Sequence, residues 1–89
     1  MFQVTEDAKA ELQTRLQAAE QGKYIRLRMR DSCMLKVKLT LEDERQPNDE
    51  LFDNGGMQFI IPKEQIHFFR GKKLDYAADR TGFKEFDVT

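Results

Sequence analysis

The stretch Asp49–Tyr76, D-E-L-F-D-N-G-G-M-Q-F-I-I-P-K-E-Q-I-H-F-F-R-G-K-K-L-D-Y, decides how this chain is read. A short strand enters a turn at Asn54-Gly55-Gly56, residues that supply the positive φ a tight hairpin needs. An alternating strand returns over Met57–Ile61, with Met57, Phe59 and Ile61 facing inward. Pro62 suits the first position of a short helix, where its missing N–H costs little. Ile66 and Phe69 pack inward from that helix, Gly71 ends it, and Leu74-Asp75-Tyr76 begins a further strand. No catalytic motif lies in the stretch.

The chain before it is equally patterned. Residues 2 to 4 are a short strand or extended lead-in. Thr5 suits an N-cap, and Glu6 and Asp7 favour the positive end of a helix dipole. Ala8, Leu12, Leu16 and Ala19 recur at helical spacing, so a helix is predicted over 6–21, stopped by Gly22. From Tyr24 to Arg30, Ile25, Leu27 and Met29 alternate with Arg26, Arg28 and Arg30, which predicts a half-buried strand. Asp31–Met34 is a connector. Leu35, Val37, Leu39 and Leu41 then alternate with Lys36, Lys38 and Thr40, and so short a connector joins the two strands as an antiparallel hairpin. Residues 42–50 are polar and read as a loop. After Tyr76 the chain turns over 77–82 and ends in a strand over 83–88.

The fold class is therefore α+β, a small domain of mainly antiparallel strands and hairpins with one N-terminal amphipathic helix and one short helix. Its expected core is Leu12, Leu16, Ile25, Leu27, Val37, Leu39, Phe52, Phe59, Ile61, Ile66, Phe69 and Tyr76. With 89 residues the expectation is a single domain over 1–89 with one modest core. There is no apolar run of membrane-spanning length and no signal-peptide pattern, and one cysteine excludes an intrachain disulfide, so a cytoplasmic location without membrane attachment is expected.

The chemistry on offer is sparse. Cys33 follows Arg30 and adjoins Asp31 and Ser32; a turn thiol near cations is open to activation or metal ligation. The residues themselves favour an ordinary small side chain at a strand end, because one cysteine builds no zinc or cluster site within one chain. His67, the single histidine, lacks ligating neighbours and reads as a half-exposed helix residue. No nucleophile–base pair or phosphate-binding glycine loop is present, so an enzyme is not expected.

Charge is segregated although the formal net charge is only -1. Residues 23–38 carry Lys23, Arg26, Arg28, Arg30, Lys36 and Lys38 against Asp31, a balance of +5. Residues 42–53 carry a balance of -5. Arg26, Arg28, Arg30, Lys36 and Lys38 share one face of the predicted hairpin, which can meet an acidic protein partner or a nucleic-acid backbone. A solvated face partly neutralised by the chain's own acidic loop is the favoured reading of the residues. Nucleic acid is disfavoured because no stacking aromatics interleave with the cations.

The chain resembles the HesB-like, or A-type carrier, family of iron–sulfur cluster biogenesis proteins. The resemblance is carried by Asp49-Glu50-Leu51-Phe52, Gly56, Met57-Gln58-Phe59-Ile60-Ile61, the helix Ile66 to Phe69, Gly71 and Leu74-Asp75-Tyr76. Thr5-Glu6-Asp7-Ala8 is similar to the family's helix start and Tyr24–Met29 to its first core strand. The resemblance implies a non-enzymatic carrier or accessory of cluster assembly, with protein partners from that process and a homodimer. It also implies thiolate ligands: one cysteine after the first core strand, and a Cys-Gly-Cys near the C-terminus. Cys33 falls within about a residue of the first position, without its flanking glycines, and the 89 residues hold no counterpart of the pair. An iron–sulfur cluster is then expected to be shared between subunits or with an external thiol. The alternative is a degenerate, cluster-free member acting as a protein-interaction module through the basic face.

Overall fold

The computed structural model describes residues 2–19, 24–30 and 33–89, with the side chains of 33–35 outside that description. Its elements are β1 (Gln3–Val4), α1 (Glu6–Ala18), β2 (Tyr24–Arg30), β3 (Cys33–Glu42), β4 (Asp49–Asn54), β5 (Met57–Pro62), a 3₁₀ helix (Lys63–Phe68), β6 (Lys73–Ala78) and β7 (Lys84–Val88). The α+β class holds. The strands form a seven-stranded sheet in the order β1-β6-β7-β3-β2-β5-β4. The β2–β3, β4–β5, β6–β7 and β3–β7 pairs are antiparallel. Two pairs are parallel, β1–β6 and β2–β5, which the hairpin reading did not contain. The sheet curls until the Asn54 side-chain amide, at the end of β4, donates to the Phe2 carbonyl at 3.0 Å, so the two edges nearly meet.

Local chemistry explains the ends of the elements. The Thr5 hydroxyl accepts from the Ala8 N–H at 3.2 Å and donates to Asp75 at 2.7 Å, capping α1 and tying it to β6. The helix ends at Ala18, not at 21, because Ala19 is already extended (φ -80°, ψ 131°) while its N–H still caps the Arg15 carbonyl. The expected Gly22 stop and the Asp31-Ser32 connector lie outside the described residues. Strand β3 begins at Cys33, earlier than the Leu35 start expected, and runs through Glu42; β4 begins at Asp49, so the loop shrinks to 43–48. The β4–β5 turn needs positive φ only at Gly55 (63°) and Gly56 (84°), with Asn54 paired to Met57 in the ladder. The short helix is 3₁₀ and starts at Lys63, Pro62 being the last residue of β5.

The core lies between the inner face of the sheet and the two helices. Leu12, Ile25, Leu27, Val37, Phe59, Ile61, Ile66 and Phe69 are buried as expected, and Leu16, Leu39, Phe52 and Tyr76 pack against them half-buried. Phe2 adds a ring the sequence did not single out. It meets Phe59 edge-on at 5.2 Å and Phe52 at 6.2 Å between ring centroids, an arrangement aromatic quadrupoles favour. Met29, Met57, Leu74, Phe86 and Val88 complete the core. Among the described residues, no helix is long and apolar enough to cross a membrane.

Candidate functional site: the outer face of the β2–β3 hairpin

Arg26, Arg28 and Arg30 alternate with buried Ile25, Leu27 and Met29, so all three stand on the face of the sheet away from the core. Across the ladder, Arg26 pairs with Thr40 and Arg28 with Lys38. Lys36 pairs on its other side with Asp87 of β7. The five cations named from the sequence therefore do share one face. Their surroundings differ.

One flank is acidic through β7. Glu85 lies 3.1 Å from Arg30 and 3.0 Å from Lys36, and Asp87 lies 3.9 Å from Lys36. The hydrogen bond from Lys36 holds the Glu85 carboxyl below its ordinary value, and Glu85 in turn raises Lys36. Burial pushes the Asp87 carboxyl up, against the pull of Lys36, and its buried Oδ1 has no hydrogen-bond partner among the described residues.

The other flank is the 43–48 strap. Glu42 lies opposite Tyr24 at the start of β2, whereas Asp49 lies opposite Pro62 at the end of β5. Since Arg26 is level with Ile60, the strap climbs about four residues, roughly 13 Å, while crossing β2 and β5. Arg26 anchors it. Its Nη2 donates to the Asp49 Oδ2 at 2.5 Å and its Nη1 lies 3.4 Å from Glu42. Asp49 also accepts from the Gln46 N–H at 2.8 Å, and it is the one buried charged side chain among the described residues.

Arg26, Arg30 and Lys36 are thus engaged by the chain's own carboxylates, and the acidic loop does part of the neutralising foreseen from the sequence. Glu85 and Asp87 do the rest; nothing local in the sequence signals them, because β7 reaches β3 across some fifty positions. Arg28 and Lys38 are both exposed, and neither forms an ion pair among the described residues.

Cys33 opens β3 opposite Arg30, where the register shifts between Met29 and Arg30. Three positions on, Lys36 pairs antiparallel with Asp87, so the Cys33 backbone lies at the sheet end where β7 finishes at Val88. The first hairpin and the C-terminal strand thereby converge. His67 is exposed on the 3₁₀ helix with its ring against Phe68 at 4.0 Å. Among the described residues, no group of three or more His, Cys, Asp and Glu side chains is disposed to hold a metal ion. One thiol per chain does not complete the four-ligand set that clusters ordinarily take.

Comparison with solved structures identifies the architecture. The chain is similar to IscA in a crystal structure with a [2Fe-2S] cluster, at 27% identity and a TM-score of 0.75 over 100% of this chain and 84% of that one. It is similar to a protein from Aquifex aeolicus solved by NMR, at 23% identity and a TM-score of 0.74 over 99% and 89% of the two chains. It also shares the fold of Escherichia coli SufA, whose structure is described as involved in biosynthesis of iron–sulfur clusters, at 17% identity and a TM-score of 0.77 over 99% and 83%. No curated protein sequence matches. The profile of the family described as iron-sulphur cluster biosynthesis matches residues 1–87. With a match across nearly its whole length and the sheet that goes with it, the chain belongs to the iron-sulphur cluster biosynthesis family.

Proposed function

We propose that this protein is a non-catalytic carrier or accessory in iron–sulfur cluster assembly, with the cluster as its cargo. The observation that carries this reading is the family match over residues 1–87. Cys33 is the thiolate each chain contributes, and its backbone sits at the sheet end where the first hairpin meets β7. Two subunits supply two such thiolates, and the remaining ligands come from a small external thiol or a partner protein. The setting is the cytoplasm, and the partners are proteins of the same assembly process.

The test is anaerobic reconstitution with iron and sulfide, with and without glutathione, read by visible absorption. Thiolate-to-iron bands are expected with glutathione present and are lost in Cys33→Ser. Absence of the bands in wild type, or their persistence unchanged in Cys33→Ser, rejects the carrier reading.

A second reading is favoured by the outer sheet face that the five cations share, with Arg28 and Lys38 directly opposite each other and exposed. In it, the protein holds no cluster and serves as an interaction module through Arg26, Arg28, Arg30, Lys36 and Lys38. A pull-down with Arg28→Glu/Lys38→Glu then loses assembly partners that Cys33→Ser retains; equal recovery by both variants counts against it.

A further inference from the structure

Arg28 and Lys38 stand directly opposite each other on β2 and β3. Like charges in that relation repel, and the cost is ordinarily relieved by a nearby carboxylate. Their neighbours on the same face are relieved: Arg26 by Asp49 and Glu42, Arg30 by Glu85, Lys36 by Glu85 and Asp87. Arg28 and Lys38 form no ion pair among the described residues, although Arg28 is near enough to Glu64 to help hold that carboxyl down. Both line a groove of about 320 Å³ whose lining also holds Arg26, Glu42, Asp49 and Glu64. The strap lines it through Gln46 and Asn48, and the Gln46 side-chain amide is of the kind that hydrogen-bonds an oxyanion. Glu64 also lines the groove, and its own backbone N–H, the Asn48 amide and the nearby Arg28 hold its carboxyl below the ordinary value.

We infer that this groove is a binding site for a compact oxyanion of two or more negative charges, held between the Arg28 guanidinium and the Lys38 ammonium. Arg28 offers a planar fork matched to a carboxylate or phosphoryl group, and Lys38 adds a second charge from across the ladder. The shape of the surrounding field limits the ligand. Glu85 and Asp87 border the pair on one side, and Glu42, Asp49 and Glu64 on the other. A continuous phosphate backbone or an anionic membrane crossing the face would meet both acidic borders, whereas a small anion fits between them. The volume is that of a small-molecule site.

Two-dimensional NMR titration of the full chain at low ionic strength, with citrate in one arm and inorganic phosphate in the other, tests the assignment. Saturable shifts are expected at the amides of 26–30 and 36–40. Arg28→Gln and Lys38→Gln each weaken binding about tenfold or more, Arg28→Lys restores part of it, and Lys63→Gln, an exposed cation outside the groove, leaves it unchanged. Tighter citrate binding assigns a carboxylate ligand, and tighter phosphate binding a phosphoryl one. Shifts that do not saturate with either anion, or that weaken equally in Lys63→Gln, overturn the inference. Tighter binding of a single-stranded oligonucleotide than of both anions overturns it as well.

Discussion

Replacing Asp49 by alanine removes the acceptor that holds the 43–48 strap to the sheet. The Asp49 side chain is 3% exposed and that of Arg26 17%. The substitution deletes a 2.5 Å charge-assisted hydrogen bond and leaves the Gln46 N–H without its acceptor. Among the described residues, Arg26 then keeps only Glu42 at 3.4 Å, and its Nε already lacks a partner there. Breaking one side of a buried pair costs about 3–5 kcal/mol because the surviving charge is stranded. The remaining Glu42 contact and the partial exposure of Arg26 place this case at the low end, about 3 kcal/mol. For a domain of this size that lowers Tm by roughly 12–24 °C. Thermal and urea unfolding followed by circular dichroism measures it. The double variant Arg26→Met/Asp49→Leu is expected to recover most of the loss, since apolar replacement of both partners avoids desolvating a charge. A loss below about 1 kcal/mol in Asp49→Ala, or a double variant no more stable than the single, would refute the assignment of Arg26–Asp49 as the strap's anchor.

Other outcomes follow from neighbouring features. Gly56 has φ 84° with nothing within 4 Å of an added Cβ, so Gly56→Ala costs only backbone strain, about 1–2 kcal/mol in chemical denaturation. Phe59→Ala removes a fully buried ring that packs edge-on against Phe2 and is expected to cost about 3–5 kcal/mol by the same assay. Glu85 and Asp87 give opposite pH signatures. The Glu85 pKa is depressed by Lys36, so its stabilisation is present above the unfolded-state value and is lost as pH falls through the native one; Glu85→Gln lowers Tm at pH 7 and converges with wild type in acid. Asp87 is raised by burial, so the native state binds the extra proton and stability falls as pH rises from the unfolded value through the native one. Asp87→Asn therefore raises Tm at pH 7 and matches wild type near pH 3, a difference read from Tm against pH.

Much of this was legible where the signal is local. The alternation over Tyr24–Arg30 gave β2 to the residue, and the glycines at 55 and 56 placed the tight turn. The helix end was misplaced because Gly22 is a strong stop signal, while the chain leaves the helix at Ala19 through backbone that any residue adopts. The parallel β2–β5 and β1–β6 pairs have no local signature, since pairing partners far apart in sequence leave no pattern in either strand. The same holds for the site. Opposite charges in 23–38 and 42–53 announced an interaction, but only the climb of the strap selects Arg26 for Asp49. Only the β3–β7 register brings Glu85 and Asp87 beside Lys36, whereas Arg28 and Lys38 form no ion pair among the described residues. Phe2 was passed over because a two-residue strand carries too little pattern to reveal that its ring closes the core.

Transfer of a reconstituted cluster to an apo-ferredoxin, followed by circular dichroism in the visible, tests the assembly role most directly. Wild-type protein reconstituted with glutathione is expected to convert the acceptor to its holo form, and Cys33→Ser to leave it apo. Failure of wild type to transfer, or transfer by Cys33→Ser at the wild-type rate, contradicts a carrier role that rests on Cys33.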